Sequence, residues 1–499
     1  MLKRLLVTAL AISAAHVSAH TNKNFLSSPR AQAASMLGES HLTRNLCQAK
    51  GMDRFGGNFL VSGFYSESRN AKALGKYFGV GDKDSFKAAW NSSVGTDGDI
   101  NAGYMIHEGV AGHGIHVVPS QTFATLNLAP KTISYGAEFA YKQCLGKVLE
   151  GLHLSIALPV ERVENNMGLT VTNAQSTTAA ATPAVITSAV QDFFAGKLNP
   201  TIATLGPLGS AAGNTHGQNK LTKALMNGKQ TATGIADINV VLGYDFVRGG
   251  DWKAGLNLGL VIPTGNSATG QYVFEPIYGN GNHWELGFGG AVDGFLWRDG
   301  DQSIELHVSA DYRYGFKANE TRTLGGKVGA TQANWGQYYL AVADGVVLGQ
   351  TAAPLANTIT QAIGVTPGSA LRGNLGLEYD NGGFLFGLNY APAWKQAESG
   401  SVNVTVPAGV AIVSPEAAAM HAALAVGAAT SVLITKDNLD MDQALRPSQL
   451  AHRLGGNLGY TFKDMDYPIT IGVGGHYEFA GDNAVAENWG VNLSAGIGF

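Results

Sequence analysis

Charge is scarce in this sequence. Only 14% of its 499 residues are charged, 33 basic against 37 acidic, and no block is basic or acidic enough to form a tail. That excludes nucleic acid as an expected partner, because phosphate binding needs clustered Lys and Arg. Cysteine is almost missing: Cys47 and Cys144 are the two in the chain. A disulfide-dense scaffold is therefore out of reach. The two can pair in an oxidising compartment, but their spacing does not decide it.

Long apolar runs suited to a spanning helix are also lacking. The stretch 405–434 comes nearest, and Pro407, Pro415, Glu416 and His421 interrupt it; charge and a broken backbone are costly in lipid. Catalytic signatures fail in the same way. Gly228-Lys229 lacks the following Ser or Thr and the upstream Gly of a phosphate loop, and no Gly-x-Ser-x-Gly elbow occurs. His107, Glu108, His113 and His116 form the densest histidine group. Their spacing fits no helical pair of ligands, and the Gly-rich surroundings read as loop. No catalytic residue, cofactor or metal is expected, and the chain does not read as an enzyme.

What is present begins with a leader. Met1-Leu2-Lys3-Arg4 is a short cationic start, the segment from Leu5 to Ala15 is apolar apart from Thr8 and Ser13, and Val17-Ser18-Ala19 supplies small residues for cleavage before His20. The apolar run is too short to span a bilayer, which takes about 20 residues. Residues 1–19 are thus expected to be a signal peptide, 20–54 an N-terminal periplasmic or plug segment, and 55–499 the folded domain.

The dominant signal is two-residue alternation. Trp489, Val491, Leu493, Ala495, Ile497 and Phe499 alternate with Gly490, Asn492, Ser494, Gly496 and Gly498. Ile304, Leu306, Val308, Ala310, Tyr312 and Tyr314 alternate with Glu305, His307, Ser309, Asp311, Arg313 and Gly315. Similar patterns run through 237–246, 371–380 and 467–479. Successive strand side chains point to opposite faces, so each segment is a strand with one greasy and one polar or tiny face. The polar faces carry many charges and glycines, as a watery interior permits, and the greasy faces carry Tyr, Trp or Phe towards their ends, as interfacial girdles do.

Tight-turn candidates at 145–149, 249–251, 299–301, 381–383 and 463–466 alternate with longer insertions, as short and long connections do around a membrane barrel. Strands are expected at 131–144, 149–163, 231–248, 251–263, 283–298, 302–317, 370–380, 382–396, 449–463, 466–480 and 486–499. A further strand at either 55–67 or 121–129 makes the number even. The fold class is therefore all-β: a transmembrane antiparallel β-barrel of about 12 strands, with ten and fourteen as the even alternatives. Short helices are expected at 25–50, 85–89, 183–197, 219–226, 358–363 and 415–424, most of them in long outer loops. The strand-like segment 335–343 is placed in an outer loop, because a single extra span would break the parity.

The ending Ser494-Ala495-Gly496-Ile497-Gly498-Phe499 resembles the C-terminal signal of Gram-negative outer-membrane barrels, which finish on an aromatic residue after alternating apolar positions; a Gly is usual where Ser494 stands. The run from Gly234 to Phe246, followed by Leu260-Val261-Ile262-Pro263-Thr264-Gly265-Asn266, is similar to a hairpin of outer-membrane transporters, some of them associated with aromatic-compound degradation; Ala236 stands where a Gly is usual. The resemblance implies the bacterial outer membrane as location, and its lipids and the barrel-assembly machinery as partners. The expected function is a pore or transporter passing small solutes by diffusion through a mixed-charge lumen. Glu305, His307, Asp311, Arg313, Arg372, Glu378, Arg453, His476 and Glu478 are the expected pore-lining residues. Such groups would tune which solutes pass, or would pair and fill the lumen. The alternatives are a surface-interaction protein acting through its long outer loops, and a barrel-embedded lipid hydrolase whose residues converge without a local motif.

Overall fold

The computed structural model describes residues 23, 56–90, 99–101, 121–175, 183–197, 219–226, 228–328, 331–332, 335–343, 353–401, 410–413, 431–483 and 486–499. Twelve antiparallel strands close on themselves. They are β1 (Gly57–Ser68), β2 (Lys131–Cys144), β3 (Leu152–Asn166), β4 (Lys229–Ile235 and Ile238–Gly249), β5 (Trp252–Ile262) and β6 (Glu285–Asp299). The circuit continues with β7 (Gln302–Gly315), β8 (Ala370–Asn381), β9 (Phe384–Lys395), β10 (Gln449–Phe462), β11 (Ile469–Asp482) and β12 (Asn488–Gly498). Closure is made by β1, whose Val61 stands opposite Phe139 of β2 on one side and Ala495 of β12 on the other. Gly57 and Phe499 exchange N–H···O=C bonds of 2.8 and 2.9 Å, which ties the last residue to the first strand. A closed wall leaves no unpaired edge, the condition for a sheet to stand in lipid.

Of the two candidates for the first strand, 55–67 is the one that closes the wall. Gln121–Asn127 instead pairs with Ser85–Trp90, outside the barrel. The segment 85–89, expected as helix, is therefore strand. Phe86 and Ala88 are both buried, and that period of two is too brief to stand out in so short a stretch.

The expected strand 231–248 is present but broken. Its first half pairs with the Val160–Asn166 end of β3 and its second half with the Leu152–Ala157 end. Between them, at Ala236-Asp237, β3 presents Pro159, which has no N–H to give a ladder. One bond survives there, from Ala236 N–H to the Pro159 carbonyl at 2.9 Å.

The long connections lie at one rim and tight ones at the other, the short link 483–487 between β11 and β12 being the exception on the long-loop side. The long connections fold together into a cap with its own apolar core. Its two longer helices among the described residues are α1 (Ala71–Phe78) and α2 (Pro183–Phe194). Phe78 from α1, Phe193 and Phe194 from α2, Trp335, Tyr338, Ile359 and Ile412 are all buried in one cluster. Trp335 meets Phe86 at 4.6 Å and Phe194 at 5.6 Å between ring centroids, in edge-on contacts. Such pairs contribute about 0.5–1.5 kcal/mol each beyond their buried area. The polar tips are satisfied: Trp335 Nε1–H donates to the Phe78 carbonyl at 2.9 Å and Tyr338 OH to the Ala224 carbonyl at 2.8 Å.

The segment 335–343 lies in this cap, as a single 3₁₀ turn (Gly336–Tyr338) and a short strand (Leu340–Ala343). The expected helix at 183–197 is α2. Residues 219–226 are irregular rather than helical, and 358–363 is the end of a one-turn helix (Ala356–Ile359) running into a strand (Thr360–Thr366). The expected helices at 25–50 and 415–424 lie outside the described residues. Among the described residues, no helix is long and apolar enough to cross a membrane.

Candidate functional site in the barrel lumen

The wall has the polarity of a soluble protein turned inside out. Leu493 is 69% exposed and Leu458 58%, while Glu161 is 1% exposed and Glu285 5%. Leu258, Phe288, Val308, Leu375, Phe386 and Val473 are exposed on the outer face. Glu138, Asp293, Glu305, His307, Asn374, Glu378 and Arg453 are buried on the inner one. Exposed aromatics collect towards both ends of the strands, with Trp252, Trp297, Phe384 and Tyr467 near the tight-turn rim and Trp284, Tyr314, Trp394 and Trp489 near the cap. A continuous apolar surface of this extent has no stable interface with water, whereas lipid satisfies it. The chain is a transmembrane β-barrel.

No protein-family model matches the sequence, and no curated protein matches it. Among solved structures, it is similar to an outer membrane channel from Pseudomonas putida F1, with 11% identity, 90% of this chain and 100% of that chain covered, and a TM-score of 0.36. It is similar to the Pseudomonas putida toluene transporter TodX, with 6% identity, coverage of 91% and 93%, and a TM-score of 0.31. The outer membrane protease OmpT from Escherichia coli is matched at 8% identity, with coverage of 90% and 96% and a TM-score of 0.23. A channel, a transporter and a protease thus stand side by side.

The expected pore-lining residues fall in two groups on the inner face. Glu305, His307, Asp311 and Arg313 of β7 face Arg372 and Glu378 of β8 through the register pairs Glu305–Glu378 and Asp311–Arg372. Arg453 of β10 stands opposite Glu478 of β11, and their ion pair measures 3.0 Å. His476, two residues back on β11, lies over Gly490, where a Cβ would come within 2.5 Å of the ring. Arg313 pairs with Asp311 at 2.9 Å, and Lys253 with Asp245 at 3.0 Å. Glu305, Arg372 and Glu378 are also engaged. The three ion pairs run along a strand or between neighbouring strands, so the paired charges compensate one another against the wall and the lumen keeps an open space.

That space is a cavity of ≈ 240 Å³ bounded by inner-face residues of β2 to β8, among them Lys142, His153, Asp245, Lys253, Asn257, Asp293, His307, Ser309 and Asn374. His153 and Asn257 escaped the sequence reading, although His153-Leu154-Ser155-Ile156-Ala157 alternates as the other strands do. His307 donates from Nδ1 to Asp293, and its Nε2 lies 3.2 Å from Ser309 Oγ.

A second charged group sits between lumen and cap. His283 Nε2 lies 2.6 Å from Glu320, Arg322 Nη2 reaches Glu320 at 2.9 Å, Arg322 Nη1 bonds to Glu398, and Arg446 Nε pairs with Glu398 at 3.0 Å. Burial opposes ionisation of Glu398, but Arg322 and Arg446 outweigh it and hold the carboxyl below its ordinary range. Glu320 is lowered too, with Arg322 and the His283 hydrogen bond prevailing over burial. Glu320 and Arg322, two apart on the strand Ala318–Thr323, share a face, but nothing in the sequence spacing brings Glu398 and Arg446 to them.

Cys144, at the tight-turn end of β2, is disulfide-bonded; Cys47 lies outside the described residues. His107, Glu108, His113 and His116 lie outside them as well.

Proposed function

We propose that this chain is an outer-membrane channel through which small solutes diffuse passively, with the inner-face charges filtering them and the cap restricting entry. The observation that supports this reading is a polar, charge-paired cavity enclosed by a closed wall with an apolar outer belt. The pore-lining role of Glu305, His307, Asp311, Arg313, Arg372, Glu378, Arg453, His476 and Glu478 belongs to this proposal. So do removal of residues 1–19 at export and insertion by the barrel-assembly machinery into a Gram-negative outer membrane. The tight-turn rim then faces the periplasm and the cap faces outward.

Of the two readings of residues 20–54, the plug is the better supported. Lys23 is bound into the cap, its N–H to the Tyr77 carbonyl at 3.1 Å and its Nζ to the Asp442 carbonyl at 2.7 Å, whereas Gly57 starts at the opposite rim.

The decisive measurement is conductance of the purified barrel in planar bilayers. Stepwise, ion-dependent openings are expected, and deletion of residues 20–54 should enlarge them. Persistent silence of a folded barrel, with and without that deletion, would overturn the channel. It would favour a surface-interaction role for the cap, whose long connections share one apolar core.

A further inference from the structure

The inner face of the wall carries an arrangement that solute passage does not require. On β7, His307 and Ser309 are two residues apart and therefore share a face. The register sets Asp293 of β6 opposite His307, and Asn374 of β8 opposite Ser309. The other two neighbours in the same rows are small: Ala291 stands beside Ser309 and Gly376 beside His307. The hydrogen bonds run in one direction. Ser309 Oγ lies 3.2 Å from His307 Nε2, and His307 Nδ1–H donates to Asp293. Asp293, His307, Ser309 and Asn374 all line the ≈ 240 Å³ cavity.

The geometry points to a nucleophile, a general base and its orienting carboxylate, made by Ser309, His307 and Asp293, that hydrolyse small uncharged esters inside the lumen. A hydroxyl is a weak nucleophile until a base can take its proton, and a base serves best when its second nitrogen is held by a carboxylate. A His–Asp pair that merely filled the barrel would not need a hydroxyl on the second nitrogen beside open space. One N–H donor borders the same cavity: Arg313, whose Nη1 is buried with no hydrogen-bond partner among the described residues. It is suited to an oxyanion.

The reaction balances with water alone. Ser309 Oγ bonds to the ester carbonyl carbon while its proton passes to His307 Nε2. Collapse of the tetrahedral adduct breaks the acyl C–O bond, and His307 returns that proton to the departing alcohol. A lumen water then adds to the acyl-serine, losing a proton to His307, and the second collapse frees the acid and restores Ser309 with that proton. The cavity is smaller than the roughly 300–1,000 Å³ that hold drug-sized ligands, and its charges are compensated, so the ester is small and neutral. Val308, between the two reactive residues, faces lipid, so the substrate reaches them from the aqueous side and is not a bilayer lipid.

The test treats the full-length, folded barrel with diisopropyl fluorophosphate, maps adducts by peptide mass, and follows p-nitrophenyl acetate hydrolysis. A single adduct on Ser309 is expected, together with a loss of at least about 100-fold in hydrolysis for Ser309→Ala and His307→Gln. Asp293 acts through His307, so Asp293→Asn should move the acid limb of the pH–rate profile as well as the rate. Heat-modifiable migration on gels confirms that each variant is folded. Absence of a Ser309 adduct on the folded wild-type barrel overturns the assignment, as does a Ser309→Ala barrel that hydrolyses as fast as wild type. Conductance is read separately, so either property can fail without the other.

Discussion

Replacing Arg322 by Met tests whether the buried charges at the cap–barrel junction hold the cap closed on itself. Arg322 is 0% exposed and its partners Glu320 and Glu398 are 1% and 2% exposed. Its guanidinium donates from Nε and Nη2 to Glu320 at 3.0 and 2.9 Å, from Nη1 to Glu398, and to the Ala444 carbonyl at 2.7 Å. Removing one partner from such a pair costs about 3–5 kcal/mol, because the remaining charge is left uncompensated in a medium that cannot solvate it. Here Arg446 still pairs with Glu398 and His283 still bonds to Glu320, so the lower end, about 3 kcal/mol, is expected. That raises the open fraction of the cap by roughly 100-fold. Limited proteolysis of the reconstituted protein reads it directly, since the strand wall resists cleavage and serves as the internal standard. A combined Glu320→Gln, Arg322→Met and Glu398→Gln variant should recover most of the lost protection, because it removes the stranded charges along with the cation. If the single variant is cut no faster than wild type, or the triple variant is cut as fast as the single, the account fails.

The same carboxyls give a pH dependence. Both Glu320 and Glu398 titrate below the ordinary value of 4.5 in the folded cap, so the unfolded cap binds protons first as pH falls. Their stabilisation is therefore complete above about 4.5 and declines below it, and hydrogen exchange in Ala318–Thr323 should accelerate there beyond the intrinsic rate. A protection factor unchanged down to pH 3 would contradict this. For the wall, Val308 lies six residues from Gln302, at the tight-turn end of β7. At a rise of about 3.3 Å per residue and a tilt near 40°, this is roughly 15 Å into a belt of about 25 Å. Val308→Arg should cost about 2–4 kcal/mol and impair insertion, whereas Ser309→Arg should insert normally. Equal yields of folded protein from the two would refute the facing of β7.

Most of the wall was legible because lipid outside and water inside impose opposite demands on alternate residues. The run from Glu305 to Arg313 shows which side is which without any neighbour being known. The break in β4 was not legible, since it comes from Pro159 on another strand, about 75 residues earlier in a ladder that exists only once the strands pair. The short strand Ser85–Trp90 was misread as helix for a related reason: its burial is decided by Trp335, a partner distant in the chain.

By itself the sequence determined the architecture: an even-stranded antiparallel barrel, its greasy face and the nine inner-face groups, all consequences of a local period of two. Tertiary structure alone decided which strand closes the wall, that the long loops share one apolar cap, and that Asp293, His307, Ser309 and Asn374 meet. Those facts depend on register between strands, and hydrophobic alternation is blind to which residues of two neighbouring strands stand opposite each other.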